Sequence, residues 1–553
     1  MYMKQKITLT ISLIIFSISI QAQTVGLFKN DSTSFNGYTL IAPLGSNQTY
    51  LIDNCGFIVN EWSNSSYSPG ASTYLLEDGS LLKTGNIQDT TLAAGGSGGI
   101  LERFDWDDNL IWNYTLSDAN QRLHHDIAVM PNGNILALAF DYRPYAEAIS
   151  SGRDTSLLTP GGIWSEKVIE LQPIGFDSAI VVWEWFLWDH LVQDYDANAA
   201  NYGVVKDNPQ LINLNYPGDY GDDPDWIHAN ALAYNEDLDQ IMICAKNYHE
   251  IWVIDHSTTT VEAAGSTGGN SGKGGDILYR WGNPATYDLG DSTTQQFDGQ
   301  HDAYWIPDGY KDAGKIMVYN NRFYNPLNFS TVEIINPPVD ADGDYFYEAD
   351  SAFLPKTPDW TYQIPYFSQI VSNAQRLPNG NTLICNGRPG VIIEIDSNEQ
   401  IVWKYVSPAQ SNGAILAQGN PAMGNLMFRA YRFAPDYPAF DGKDLTPTVP
   451  IELNPTPSNC QLYFPTATIN QDWEVLDLRV IENPISNELR LENLTNSEIQ
   501  LVIVDLSGKV VLEDKTNATV IQYDVSNWTK GNYFIIAINE ERQALFRQQL
   551  IKL

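Results

Sequence analysis

Positive charge is scarce in this chain: 31 lysines and arginines stand against 67 aspartates and glutamates over 553 residues, a formal net charge of −36. Such a surface repels a phosphate backbone or an anionic membrane, so nucleic acid is excluded as a partner, and any anionic ligand must be drawn by local cations. Cysteine is scarce too. Cys55, Cys244, Cys385 and Cys460 are too few and too scattered for a disulfide framework or a zinc knuckle; export would permit a bridge, and no pairing stands out. Long apolar runs are missing apart from Ile7 to Ile20, which is short for a membrane span. It follows Lys4 and Lys6, the charge order of a secretory signal peptide over residues 1–23, so no transmembrane span is expected in the mature chain. Helix-period patterning is rare. The glycine-rich stretches 95–99 and 265–275 lack the lysine and helix context of a phosphate loop and read as edge loops able to shape a channel mouth.

Aromatic residues, by contrast, make up 12% of the chain, with 15 Trp and 30 Tyr, which suits an all-β protein. Histidine numbers only seven, and three of these take the same place in one recurring pattern. His125-Asp126 precedes Pro131-Asn132-Gly133 by the spacing at which His301-Asp302 precedes Pro307-Asp308-Gly309; His228 opens a third copy that reaches Tyr234-Asn235 without the proline. Each copy is a strand running into a tight turn, where proline presets φ and glycine supplies positive φ, followed by a return strand such as 134–139. Further along comes a strand, a turn and a Trp-bearing strand: 168–171 with 181–185, 251–255 with 278–281, 391–396 with 401–405, and more weakly 101–105 with 111–114 and 332–335 with 360–362.

The repeating unit therefore has four strands. Five units align at Gly79, Gly133, the Tyr234-Asn235 corner, Gly309 and Gly380, and a sixth is split between residues 38–62 and 425–433. Sharing one unit between the two ends closes a ring and removes open sheet edges, so a six-bladed β-propeller is expected over residues 24–440, with the tryptophans wedged between blades. First strands line the central channel with alternate side chains facing it. His125, His228 and His301 then converge at one mouth, with His124 turned away. Lys246, on the return strand after His228, reaches the same mouth, and Arg429 and Arg432 on the inner strand of the split unit are candidates to bind substrate. Asp126 and Asp302 either orient imidazoles or bond to backbone.

Residues 441–475 lack periodicity and read as a linker. Residues 476–553 alternate like a small β-sandwich. Asn483-Pro484, Val504-Asp505-Leu506-Ser507-Gly508 and Trp528-Thr529-Lys530-Gly531-Asn532-Tyr533 make this tail resemble the C-terminal sorting domain of cargo of the Bacteroidetes type IX secretion system. That resemblance implies the secretion machinery as a partner and a cell-surface or secreted location; an ordinary carbohydrate-binding or adhesive sandwich is the alternative.

The stretch from about Gly37 to Tyr437 resembles the bacterial aryl sulfotransferase family, through Leu123-His124-His125-Asp126, Asp225-Trp226-Ile227-His228-Ala229-Asn230, the run from Glu250 to His256, Gly299-Gln300-His301-Asp302 and Phe428-Arg429-Ala430-Tyr431. The resemblance implies a six-bladed propeller that moves a sulfuryl group from an aryl sulfate to a phenol without nucleotide sulfate or any other cofactor. It implies His301 as the nucleophile that becomes a sulfohistidine, with His125 and His228 stabilising charge and moving protons. Lys246 stands where the family pattern has an arginine, so a point charge replaces a planar fork and bidentate grip on a sulfate is lost. The family often carries an N-terminal sandwich, for which Gln23 to Tyr38 leaves no room. The chemistry suits these residues: a loose, in-line transition state asks for positioning and cationic donors, and a neutral imidazole nitrogen can attack sulfur. Two other readings stand beside it. Three converging histidines are also a metal-ligand set for an exported lyase or hydrolase, and an adhesive or glycan-binding propeller would need no chemistry.

Overall fold

The computed structural model describes residues 23–219, 221–322, 328–457, 459–463, 474–476, 478–494, 498–505, 509–539 and 544–552. The expected signal peptide, apart from Gln23, lies outside these residues, as do Leu506, Ser507 and Gly508 of the tail motif. The chain divides into two compact units at residues 464/465. It is all-β: the two α-helical segments described, Tyr145–Ser150 and Thr260–Ala263, are short.

Among the described residues the first unit holds six antiparallel sheets of the repeating kind, each built on four strands, and a two-stranded parallel pair, Leu191–Val192 with Ile212–Asn213. The first sheet orders Met427–Phe433, Tyr38–Pro43, Thr49–Ile52 and Ile58–Trp62, so its innermost strand comes from the far end of the unit. The second to fifth sheets begin at inner strands Pro69–Leu75, Gln121–Val129, Ala229–Asn235 and His301–Trp305. The sixth begins at Asn373–Arg376 and gains a fifth strand, Gly26–Asn30, paired to Ile401–Val406. The period-2 pattern did not single out that added strand, because four of its five residues in a row are only partly buried or exposed.

Tight turns end the inner strands for the reason their residues suggest. Gly133 and Gly380 hold φ of +85° and +86°, their amides return to Met130 and Leu377 carbonyls at 2.9 Å, and Asn132 and Asn379 accept from the amide two residues on. Tryptophans on the outer strands join sheet to sheet. Trp62 donates its indole N–H to Asp105 O, Trp112 to Ser178 O, Trp183 to the Thr258 hydroxyl, Trp281 to Pro355 O, Trp360 to Glu399 and Trp403 to Asn54 O. Each acceptor lies in the connection between third and fourth strands of the next sheet or, for Ser178, at the start of the fourth strand, and the last bond returns to the first sheet.

The inner strands are joined in the same cyclic order. Arg429 donates to Tyr74 OH, Tyr74 OH to Asp126, Leu232 N to Asp126, Asn230 to Gln300 O, Arg376 N to Tyr304 OH, and Asn373 to Ala430 O. Register breaks in these inner strands fall at one depth, opposite Leu138, Val318 and Thr84 among others. There His125, His228, Asp302 and Val371 hold φ of +45°, +53°, +53° and +55°. Non-glycine residues in this region cost about 1–3 kcal/mol each, and bulges of this kind re-aim side chains.

The expected linker differs from the structure over its first half. Thr448 and Ile58 bond each other's backbone through Thr448 N to Ile58 O, Ile58 N reaches Val449 O, and Cys460 forms a disulfide with Cys55. This segment is tied down by isolated bonds and one crosslink rather than by a ladder, so it carries no periodicity to read. In the second unit, a sheet ordered Glu474–Val475, Ala544–Lys552, Gly531–Asn539, Ile499–Asp505, Val510–Thr516 and a sheet of Leu478–Val480, Glu488–Asn493, Val520–Asp524 share buried Leu489, Leu491, Leu501, Ile503, Ile521 and Ile535.

Candidate active site

His125, His228, His301 and Lys246 line one cavity of about 660 Å³, with Gly95, Gly96, Trp164, Asp225, Val371 and Phe428 around them. That volume admits a small aromatic ligand. The Phe428 ring sits 6.2 Å from the His125 ring and 6.4 Å from that of His301. His125 and His228 are edge to face at 4.7 Å.

His301 has a defined tautomer. Its Nδ1 lies 3.0 Å from Gly299 O and 2.8 Å from Asn321 Oδ1. Asn321 is itself oriented by donating to the carbonyls of Ser368 and Val371, so its oxygen faces the imidazole and Nδ1 must carry the proton. Nε2 accepts from Val371 N at 3.2 Å, which marks it as the lone-pair nitrogen. Burial, opposed by the bond to Asn321 and assisted by the charge of Lys246, pushes the His301 pKa down to about 3. The ring is therefore neutral at any ordinary pH.

His125 is also held neutral: burial, then the neighbouring His228 and His124, press its pKa well below the usual value. Its Nδ1 lies 2.9 Å from His124 Nδ1, and its amide donates to Gly96 O at 2.8 Å. His124 does not face the cavity; it stacks on Phe140 at 3.9 Å and places Nε2 2.8 Å from Glu166. His228 donates from Nδ1 to Asp225 at 2.5 Å. Lys246 Nζ donates to Asp219 at 3.1 Å and to Asn247 at 2.9 Å, and His249 donates from Nε2 to the other Asp219 oxygen. Burial opposes that arrangement, and the bonds from His249 and Lys246 outweigh it, holding the Asp219 carboxyl below its ordinary value.

The two arginines, expected to bind substrate, stand away from the histidine cavity. Arg432 is buried against Glu394, Thr39 and the Trp403 ring, where it seals the first sheet to the sixth. Arg429 reaches Asp126 at 2.8 Å and Asp302 at 3.1 Å, and bonds Tyr74 OH and Asn230 O. These groups border a separate cavity lined by Tyr304, Tyr310, Tyr431 and Tyr437, and neither arginine lines the histidine cavity. Asp126 and Asp302 accordingly hold Arg429, not imidazoles, because each lies one residue beyond its histidine and projects to the other side of the inner strand.

Among the described residues, no group of three or more His, Cys, Asp or Glu is arranged to hold a metal ion. Each histidine has one nitrogen committed to a hydrogen-bond partner, and His301 has both. The sequence reading passed over Asn321, Glu166 and Asp219. Asn321 follows the second strand of the fifth sheet just as Lys246 follows that of the fourth, so aligning the repeats at the return strand would have found it. Glu166 lies mid-strand, with no turn or motif to flag it.

Residues 28–412 match the family described as Arylsulfotransferase (ASST), and residues 480–552 match the Secretion system C-terminal sorting domain. The latter indicates export, to the cell surface or beyond, and implies engagement of the type IX secretion machinery. Among the described residues no helix is long and apolar enough to cross a membrane. No curated protein matches the chain. Similar solved structures include a protein of unknown function from Bacteroides caccae, at 11% identity and a TM-score of 0.39, covering 72% of this chain and 99% of that one. Virginiamycin B lyase from Staphylococcus aureus is similar at 11% identity and 0.29, covering 70% and 89%. Hydrazine synthase from Kuenenia stuttgartiensis is similar at 9% and 0.31, covering 76% and 99%.

Proposed function

The chain belongs to the arylsulfotransferase family, and on that premise we propose that it moves a sulfuryl group from an aryl sulfate to a phenolic acceptor through a transiently sulfated His301. The observation that carries this reading is the state of His301: a neutral ring, its proton pinned on Nδ1 and its lone pair on Nε2, in a cavity shared with a lysine and two more histidines. In the first half-reaction Nε2 attacks sulfur, the S–O bond to the aryl group breaks, and the departing phenolate takes a proton from His125 or His228. In the second, an acceptor phenol gives up its proton to the same group and its oxygen displaces Nε2. Nδ1–H stays bonded to Asn321 throughout and offsets the charge that builds on the ring. As Nε2 bonds to sulfur it gives up the Val371 amide, which together with Lys246 can then donate to the sulfuryl oxygens, where fixed donors are worth most. Lys246 is a point charge shared with Asp219, so it helps more in the transition state than in gripping the donor.

We read the six sheets as the blades of a closed propeller over residues 24–440; the six indole bonds and the cyclic inner-strand bonds support this. We read residues 476–553 as a sorting β-sandwich and residues 1–23 as a signal peptide. The test incubates purified protein with 4-nitrophenyl sulfate and a phenol, without nucleotide. Nitrophenol release should rise with acceptor concentration, and His301→Ala should lose at least about 10³-fold together with the sulfated-protein mass that the wild type shows when acceptor is withheld. Turnover that ignores the acceptor would overturn the reading in favour of a hydrolase.

A further inference from the structure

Behind His125 lies a chain of buried polar groups that the proposed transfer does not use. Glu166, on the third strand of the third sheet, is 1% exposed. Its Oε1 accepts from Ala229 N at 2.8 Å, and its Oε2 lies 2.8 Å from His124 Nε2. His124 Nδ1 lies 2.9 Å from His125 Nδ1, and the His125 ring lines the cavity beside His228. Two imidazole nitrogens at 2.9 Å must share one hydrogen, so the tautomers of both rings and the protonation of Glu166 are linked. A carboxylate and two imidazoles buried in a sheet core are a poor stabilising device, since burial costs what pairing returns.

We propose that Glu166 and His124 are a proton relay that loads and unloads His125 Nε2 during the transfer, an inference that rests on the function proposed above. In the loaded form Glu166 is a carboxylic acid donating to His124 Nε2, His124 donates from Nδ1 to His125 Nδ1, and His125 presents Nε2–H to the cavity. When the S–O bond breaks, its electron pair goes to the aryl oxygen, which takes the Nε2 proton. His125 Nδ1 takes the proton of His124 Nδ1, and His124 Nε2 takes that of Glu166. Phenol leaves, both imidazoles end neutral in their other tautomers, and Glu166 ends as a carboxylate. The acceptor phenol reverses each shift in the second half-reaction.

This arrangement answers a difficulty in the site. A ring as deeply buried as His125 resists becoming an imidazolium, so it is a poor proton store by itself; burial presses its pKa well down. The relay lets it pass a proton without holding charge. The charge change falls on Glu166, whose pKa burial raises against the pull of His124, which favours the acid form that the relay starts from. Glu166 and His124 touch no substrate; they act through His125 and are positioning residues in that sense.

The test compares donors whose leaving groups differ in their need for a proton. Phenol, with a pKa of about 10 like a tyrosine side chain, needs protonation as it departs; 4-nitrophenolate departs readily without it. Glu166→Gln keeps the acceptor for Ala229 N and the shape of the side chain but has no proton to pass. It should lower kcat/KM for phenyl sulfate by about 100-fold or more while leaving 4-nitrophenyl sulfate within about 5-fold, and His124→Phe, which keeps the stack on Phe140, should do the same. Retained nitrophenyl turnover shows in the same experiment that each variant is folded. Equal losses on both donors, or none on either, would overturn the relay while leaving the transfer intact. A wild type that sulfates neither His301 nor acceptor would remove the function first and the relay with it.

Discussion

Gly96 forms the part of the cavity wall nearest His125, and replacing it by alanine separates steric from backbone effects. A Cβ there would lie 2.1 Å from His125 Nε2, 2.2 Å from Cδ2 and 2.4 Å from Cε1. Ordinary carbon contacts sit at about 3.5–4.0 Å, so the ring would have to retreat by about 1.5 Å. It has little freedom to do so: moving one way breaks the 2.9 Å contact with His124, and His228 packs its other side at 4.7 Å between ring centres. The backbone adds its own cost, because Gly96 has φ of +69° and an L-residue in that region costs about 1–2 kcal/mol. Gly133 supplies the control: φ is +85° and nothing lies within 4 Å of an added Cβ. Gly133→Ala should cost about 1–2 kcal/mol in urea denaturation and leave acceptor-dependent phenol release within about 2-fold. Gly96→Ala should cost a further 1–3 kcal/mol or so from overpacking and lose about 100-fold or more in kcat, since a displacement of about 1 Å in a reacting group is worth that much. Equal activities in the two variants would refute the claim that His125, in the position seen here, takes part in transfer.

Three more outcomes follow from the same geometry. Asp225→Asn removes the carboxylate that His228 Nδ1 donates to at 2.5 Å and should lower kcat by about 10-fold or more with little change in KM, read by steady-state kinetics. His301 titrates near 6.5 when unfolded and near 3 when folded, so across that range the unfolded chain binds the extra proton; the stability His301 contributes is whole above pH 6.5 and is lost as pH falls towards 3. His301→Gln should therefore lose less stability than wild type on acidification below pH 6.5, by about 1.4 kcal/mol per pH unit, and parallel urea-midpoint curves would contradict the depressed value. With a net charge of −36, the chain repels an anionic aryl sulfate. Raising salt from about 10 mM to about 150 mM shortens the screening length from about 30 Å to about 8 Å and should raise kcat/KM; a fall would mean that capture by Lys246 dominates the encounter.

What could be read in the sequence was whatever repeats. The turn signal at Gly79, Gly133, Gly309 and Gly380 located four inner strands, because a glycine at positive φ after Pro-Asn or Asp leaves few alternatives to a strand reversal. The outer-strand tryptophans marked the fourth strands for a related reason: each donates one indole bond to the neighbouring sheet, so each recurs. The split first sheet was visible as leftover pieces of that pattern at both ends of the unit. The parts that could not be read are those the repeat does not enforce. Gly26–Asn30 joins an edge through backbone alone, residues 448–460 are fixed by single bonds and a disulfide, and Glu166 is one carboxylate in a long strand. In the site, strand alternation separated His125 from His124 but said nothing of their Nδ1 contact, which needs the positive φ at His125.

The two arginines lie apart from the histidine cavity, and the charges around them give a physical reason for that placement. An anionic donor suggests arginine as its ligand, yet His125 and His301 have a stricter requirement, which is to remain neutral. A carboxylate facing either would stabilise the imidazolium and remove the lone pair from Nε2. Asp126 and Asp302 each adjoin a histidine in sequence and would be such a threat. Arg429 meets both on the other side of the inner strands, and their charges hold its own pKa up against burial. Burial pushes Asp302 up to about 6 despite Arg429, so without the arginine that carboxyl would be harder still to keep ionised. Arg429 thus holds Asp126 and Asp302 away from His125 and His301, and its positive charge adds to what keeps His125 neutral. The cation that lines the histidine cavity is Lys246, which arrives from a return strand and a short 3-10 turn rather than from an inner strand.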